Sequence, residues 1–118
     1  MNHTFENLEA WQLSQELAVQ VYEVTKLFPK DEIFGITNQL RRASSSISAN
    51  IAEGYGRETA KDKLHFMAIA YGSLLETKNF IYLSQKLGYL DETATSDLIL
   101  QSTTCQKLLN GFKRSLKS

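Results

Sequence analysis

Apolar residues return every third or fourth position along most of this chain, which is the spacing of one face of an α-helix. Ile36, Leu40, Ala43, Ile47 and Ile51 follow steps of 4, 3, 4 and 4. Upstream, Leu13, Leu17, Val21, Val24 and Phe28 repeat the pattern, and Trp11, Ala18 and Tyr22 form a second stripe beside them. Downstream, Leu64, Met67, Tyr71, Leu74 and Ile81 follow one seam, while Phe66, Ala70, Ser73, Thr77, Phe80 and Leu87 follow another. Towards the C-terminus, Ala94, Leu98, Cys105, Leu108 and Phe112 share a face, with Ile99, Leu109 and Leu116 near a second. No segment shows a sustained alternation with period two, so strands are not expected.

Breaks fall between these stripes. Asn7 is placed to cap a first helix running from about Leu8 to Leu27, and Pro29 stops it because proline cannot continue the hydrogen-bond ladder. A second helix covers roughly Phe34 to Glu53, with Gly54-Tyr55-Gly56 as the turn after it. Thr59 followed by Asp62 matches a capping box, with Asp in place of the usual Glu, and opens a helix from Ala60 to Leu87 that Gly88 ends. Its 28 positions span about 42 Å at the helical rise, the long axis of the molecule. Asp91 caps a fourth helix from about Glu92 to Ser115. The expected fold is all-α, an up-and-down antiparallel four-helix bundle, with residues 1–118 forming a single domain.

The second helix is unusual away from its stripe. Ser44, Ser45, Ser46 and Ser48 put four mediocre helix formers within five positions, and small residues let neighbouring helices approach closely. Adjacent Arg41 and Arg42 project about 100° apart and cannot share one surface. Asn50 sits at the edge of the stripe and Glu53 at its end. Polar groups at a packed helix end are expected to bond to backbone or Arg groups near the following turn. The two seams of the third helix predict burial on both sides, because a surface helix needs only one apolar stripe. That favours a symmetric oligomer, although one seam would also serve as the broad shoulder of a bundle core.

Composition narrows the picture. Hydrophobic content of 42% and charged content of 22% are ordinary for a folded protein. The formal net charge is zero, so bulk electrostatics give no push towards nucleic acid or membrane. Residues 1–25 nevertheless carry Glu6, Glu9, Glu16 and Glu23 and no Lys or Arg, while residues 101–118 carry Lys107, Lys113, Arg114 and Lys117 and no acid. The first and last helices are therefore expected to attract each other. Cys105 is alone and reads as a small buried residue. Met1 to Glu6 has neither the charged amino region nor the apolar run of a secretory signal. No apolar stretch approaches the ~20 residues of a membrane span. A cytoplasmic protein is expected.

Several segments resemble one family. They are Phe5-Glu6-Asn7-Leu8-Glu9-Ala10-Trp11-Gln12, Val21 through Pro29, Phe34 through Ala43, Ser46-Ile47-Ser48-Ala49-Asn50-Ile51-Ala52-Glu53-Gly54, and Phe66 through Glu76. In this order they are similar to the four-helix-bundle proteins encoded by intervening sequences of bacterial 23S rRNA genes, often labelled S23 ribosomal proteins. A similar fold occurs in the accessory proteins of diversity-generating retroelements. The resemblance implies a homopentameric ring of bundles, with Asn50, Glu53 and Gly54 as structural signature residues. The retroelement relatives are basic and bind nucleic acid together with a reverse transcriptase. Ser48 stands where many relatives carry Pro, so a milder kink is expected in the second helix.

Candidate chemistry is sparse. Glu58, Asp62 and His65 lie on one helical face, but a di-iron bundle needs two Glu-x-x-His motifs and further carboxylates, and the other histidine is His3 in the leading tail. No metal or other cofactor is expected. The serines near Ser44 have no His close in sequence, and no nucleophile elbow, phosphate loop or dinucleotide fingerprint is present. The chain therefore reads as a non-enzymatic scaffold or interaction protein. The alternative is a low-specificity RNA- or DNA-binding protein using Arg41, Arg42, Arg57, Lys61 and Lys63, aided by Lys113, Arg114 and Lys117. Glu53, Glu58 and Asp62 interleave with those cations and compete for them. Arg42 is also a candidate for pairing with an acid across subunits.

Overall fold

A computed structural model describes residues 4–117. All regular structure among them is helical. The four α-helices are α1 (Glu9–Thr25), α2 (Ile36–Tyr55), α3 (Ala60–Lys86) and α4 (Glu92–Lys117), with 3-10 turns at Phe5–Asn7 and Lys30–Glu32. α1 packs on α2 and α4, and α3 packs on α2 and α4. With short connections, this is an up-and-down antiparallel four-helix bundle, 45 × 25 × 23 Å.

The helix ends show which local signals dominate. Thr59 caps α3 by accepting from the Asp62 N–H at 3.1 Å, and Asp91 caps α4 by accepting from the Ala94 N–H at 2.8 Å. Past the end of α3, Gly88 takes φ +83°. The Tyr89 N–H then reaches the Ser84 carbonyl and the Gly88 N–H the Gln85 carbonyl, each at 2.9 Å. That is a Schellman closure, and it needs the left-handed glycine. Asn7 does not cap α1. It lies in the preceding 3-10 turn, and Leu8 holds the cap position without a side-chain bond. The entry is instead tied by Gln12, whose amide donates to the Glu6 carbonyl at 2.8 Å.

The core is centred on rows that mix aliphatic residues with small hydroxyl residues. In α3 the fully covered positions are Met67, Ala70, Leu74, Thr77, Ile81 and Ser84, with steps of 3, 4, 3, 4 and 3. In α4 they are Thr95, Leu98, Ser102, Cys105 and Leu109, and in α1 Ala10, Ser14, Leu17, Val21 and Thr25. Apart from the exposed Leu87, the two seams expected on α3 are thus the shoulders and parts of one core face. In α1, α3 and α4 the buried hydroxyls are satisfied by the carbonyl one turn back. Ser14 donates to Ala10 O at 2.6 Å, Thr25 to Val21 O at 2.7 Å, Thr77 to Ser73 O at 2.8 Å, Ser84 to Phe80 O at 2.7 Å, and Ser102 to Leu98 O at 2.8 Å. These residues bring helix axes together without leaving a polar atom unpaired. Cys105 is buried as expected, and loss of solvation raises its thiol pKa.

α2 runs through Glu53 and Gly54 to Tyr55, so Gly54 is not the turn. It is buried, and a Cβ there would lie 2.5 Å from Met67 Cε and 2.6 Å from Phe66 Cβ. Glycine at this position lets the end of α2 press against the start of α3. α2 is unbroken through Ser48, whose hydroxyl accepts from the Gln15 amide at 3.0 Å and so joins α2 to α1.

Candidate functional site

The five candidate cations do not form one patch. Arg41 and Arg42 sit in the second turn of α2, whereas Arg57, Lys61 and Lys63 flank the α2–α3 connection. The helical rise separates Arg41 from the end of α2 by about 21 Å. The second group shares its end of the bundle with Lys113, Arg114 and Lys117, because α4 returns antiparallel to α3 and Phe112 stacks on Tyr55 at 6.2 Å.

Within each group the cations differ in how they are held. Arg57 is paired with Glu53 at 3.1 Å and lies over the Phe66 ring at 4.6 Å. Lys63 donates to the Tyr55 carbonyl at 2.7 Å and lies 5.3 Å over the same residue's ring. Lys113 lies 4.8 Å over Tyr71. Arg42 and Lys61 are exposed and form no ion pair among the described residues. Among the described residues two ion pairs form, Lys26–Glu23 and Arg57–Glu53. Neither joins α1 to α4, so the acidic first helix and basic last helix pack side by side without direct ion pairs. Among the described residues Glu58 and Asp62 form no ion pair with Arg57, Lys61 or Lys63.

Glu53 behaves as expected, meeting an Arg at the α2–α3 turn. Asn50 does not reach that turn. Its amide donates to the Ser46 carbonyl at 2.8 Å and to the Ser46 hydroxyl at 3.0 Å, and Ser73 on α3 donates to the same hydroxyl at 3.1 Å. Asn50 therefore anchors a polar bridge between α2 and α3.

His65 is exposed and packs edge-on against Phe66 at 5.5 Å. His3 lies outside the described residues. No group of three His, Cys, Asp or Glu among the described residues is arranged to hold a metal ion, and no helix among them is long and apolar enough to cross a membrane.

Three surface features were not legible in the sequence. A cavity of about 300 Å³ at the α1–α2 corner is lined by Arg41 and Thr37 among others. A shallow groove of about 330 Å³ between α1 and α2 is lined by Trp11, Ala18, Ser45, Ala49 and Ala52. A depression of about 360 Å³ between α2 and α3 holds Arg42, Glu76 and Phe80.

The fold and these surfaces define a helical-bundle protein whose noteworthy residues face outward or join helices. The sequence profile of the 23S rRNA-intervening sequence protein family matches residues 6–111, and the chain belongs to that family. It is similar in structure to a protein of unknown function from the S23 ribosomal protein family of Bacteroides thetaiotaomicron VPI-5482, solved at 1.70 Å resolution. The TM-score is 0.79 at 24% sequence identity, covering 88% of this chain and 97% of that one. At that identity the likeness speaks to the fold. Comparison with curated proteins gave no match.

Proposed function

We propose that this chain is a non-enzymatic interaction protein of the cytoplasm, acting as a homo-oligomeric scaffold associated with rRNA intervening sequences. The observation that carries the reading is the outer face of α3. Ile69, Leu75, Tyr82, Leu83 and Leu87 are 40%, 46%, 49%, 41% and 48% exposed, and helical geometry places them on the side away from the core row. A helix on the surface of a monomer carries one apolar stripe, and these residues add apolar surface on both flanks of the exposed side of α3 and at its end. The neighbouring surface suits a further copy. Ser45 and Ala49 are small and exposed on α2, and Arg42 and Glu76 are exposed and form no ion pair among the described residues. In a symmetric interface they are available to each other across subunits.

The number of copies comes from the family resemblance, which implies five. Light scattering at micromolar concentration is expected to give five times 13.4 kDa. A monomer would remove the reading, and a dimer or tetramer would remove the number alone. Leu75→Glu combined with Tyr82→Glu is expected to dissociate the assembly while leaving its helical circular dichroism intact.

A second reading has support from the unpaired Arg42 and Lys61 and from the meeting of the α4 cations with Arg57, Lys61 and Lys63 at one end. It is binding of RNA or DNA through phosphates, repeated once per subunit. Such binding is weakly sequence-selective and falls steeply as salt rises. Replacing Arg57, Lys61 and Lys63 with Ala is expected to weaken RNA binding uniformly across sequences and to flatten its salt dependence. No binding by the unaltered protein at low salt leaves the scaffold alone.

A further inference from the structure

Gly54 and Gly72 both stand inside helices, and the chain itself explains only the first. A Cβ at Gly54 would run into Met67 and Phe66. Gly72 lies in the middle of α3 and has no positive φ, yet a Cβ added there would meet nothing within 4 Å. After proline, glycine is the least favourable residue for a helix interior. Neither a turn nor a neighbour within the chain requires it at position 72. A close approach from outside the chain would.

At 100° per residue, position 72 falls on the side of α3 opposite the core row from Met67 to Ser84. Ala68, Leu75, Asn79 and Tyr82 run along the same side, all exposed and none charged. Lys61 and Lys86 end this row, and no acid lies in it. A helix face that meets only water carries charged and polar residues along its length. This one instead has a notch at Ala68 and Gly72, spaced i and i+4, with the exposed Ile69 and Leu75 as knobs on either side of it.

A surface that fits lies on another side of the bundle. The groove between α1 and α2 has Ser45 and Ala49 on one helix, Ala18 on the other, and Trp11 as a wall. Ser45 and Ala49 repeat the i, i+4 spacing of Ala68 and Gly72. Small residues at matched spacing let i±4 ridges interdigitate, with axes at the close end of the usual range of about 8–10 Å. The charges agree as well. Along α1, Glu9 and Glu16 are exposed and in no ion pair among the described residues, and the helix has no Lys or Arg to set against Lys61 and Lys86. The α3 face is a poorer partner for itself. Two antiparallel copies crossing at Gly72 would bring Lys61 of one towards Lys86 of the other, like charge against like.

We infer that α3 of one copy docks at Gly72 into the α1–α2 groove of a second copy. The inference rests on the homo-oligomer reading and assigns its contact. α1 and α3 do not pack on each other within a chain, so ridge and groove occupy different faces. The contact is therefore heterologous, each copy giving one face and receiving on the other, and it propagates until a ring closes.

The test uses the full chain. Gly72→Leu acts in opposite senses on the two levels of structure. Leucine is the better helix former, so helical circular dichroism is kept and the separated chain unfolds at no lower denaturant concentration than the unaltered one. It also fills the notch, and the concentration at which the assembly half dissociates is expected to rise at least about tenfold. Gly72→Ala should move it the same way by less. Ala18→Cys with Ala68→Cys tests the partner surface, with the buried Cys105 left in place. A link between those two positions must join different chains, because their helices do not meet within one. Under mild oxidation the chain carrying both is expected to form covalent oligomers, and the chain carrying either one is not. Linking through Ala68→Cys alone would show an α3–α3 contact and overturn the docking. So would an assembled chain that Gly72→Leu leaves equally hard to dissociate, or whose double variant does not link; the oligomer reading would then stand without it. A chain that is monomeric at every concentration overturns both.

Discussion

At its C-terminal end α2 closes against α3 through Gly54, with Glu53 paired to Arg57 and Lys63 bonded to the Tyr55 carbonyl. At its N-terminal end the same helix leaves the Thr37 hydroxyl unpaired beside a cavity, and the connection leading to it exposes Leu27 at 88% and Phe34 at 92%. One end is completed within the chain, and the other presents unfilled polar and apolar groups. The contrast separates two demands on one helix. Both halves bury apolar residues in the core, Ile36 and Leu40 in one and Ile47 and Ile51 in the other, but only the C-terminal end also closes its polar groups within the chain.

That division makes substitutions at the two ends behave differently. The largest effect is expected from Ile51→Ala in the completed half. Ile51 is fully buried, and the lost contacts plus the cavity should cost about 2–5 kcal/mol in chemical denaturation. Gly54→Ala follows, at about 1–3 kcal/mol, because a methyl group has no room beside Phe66 Cβ and forces α2 and α3 apart. If Gly54→Ala proved neutral, the close approach of the two helices would be wrong.

At the open end the effects are smaller. The Tyr89 hydroxyl donates to Glu32 at 2.7 Å, tying the α3–α4 turn to the α1–α2 connection. That bond, with loss of solvation and nearby acid charge, raises the Tyr89 pKa above its usual 10.0. A raised folded-state value means that the contribution is complete below the unfolded pKa and is lost as pH rises through the folded one. Denaturation against pH should show an alkaline loss of stability that Tyr89→Phe reduces, with no change near neutrality in the remaining pH dependence. The smallest effect belongs to Phe34→Ser. A side chain so exposed should change stability by less than about 0.5 kcal/mol. A large loss would show that Phe34 is covered in solution and would blur the distinction between the ends.

The sequence made the four helices readable because their breaks carry strong local chemistry. Thr59, Asp91 and Gly88 act where short-range hydrogen bonding alone decides the outcome. The centres of the core faces were harder to read. Scoring apolar types picks Leu13, Tyr71 and Phe80, which are half-buried shoulders, and misses Ser14, Thr77, Ser84 and Ser102. A hydroxyl that returns to its own helix is buried at little cost, and periodicity of apolar types does not register it. Gly54 looked like a turn because a glycine near a helix end usually marks one. Its actual reason, the nearness of Phe66, is a tertiary fact. Among the candidate cations, sequence spacing grouped five residues that the bundle splits between its ends. The placement of Arg41 depends on Thr25 and Tyr22, both on the preceding helix.

The alternating steps along α3, from Met67 to Ser84, also determine which length changes the fold can absorb. An insertion or deletion of a single residue between Ala70 and Leu74 would turn everything beyond it by about 100°. Ile81 would then rotate away from the interior, and the exposed apolar row would rotate towards it. Adding seven residues would lengthen the rod by about 10.5 Å and return it to nearly the same orientation, off by about 20°. Length variation among chains built this way should therefore be quantised in the rods and gradual only in their connections.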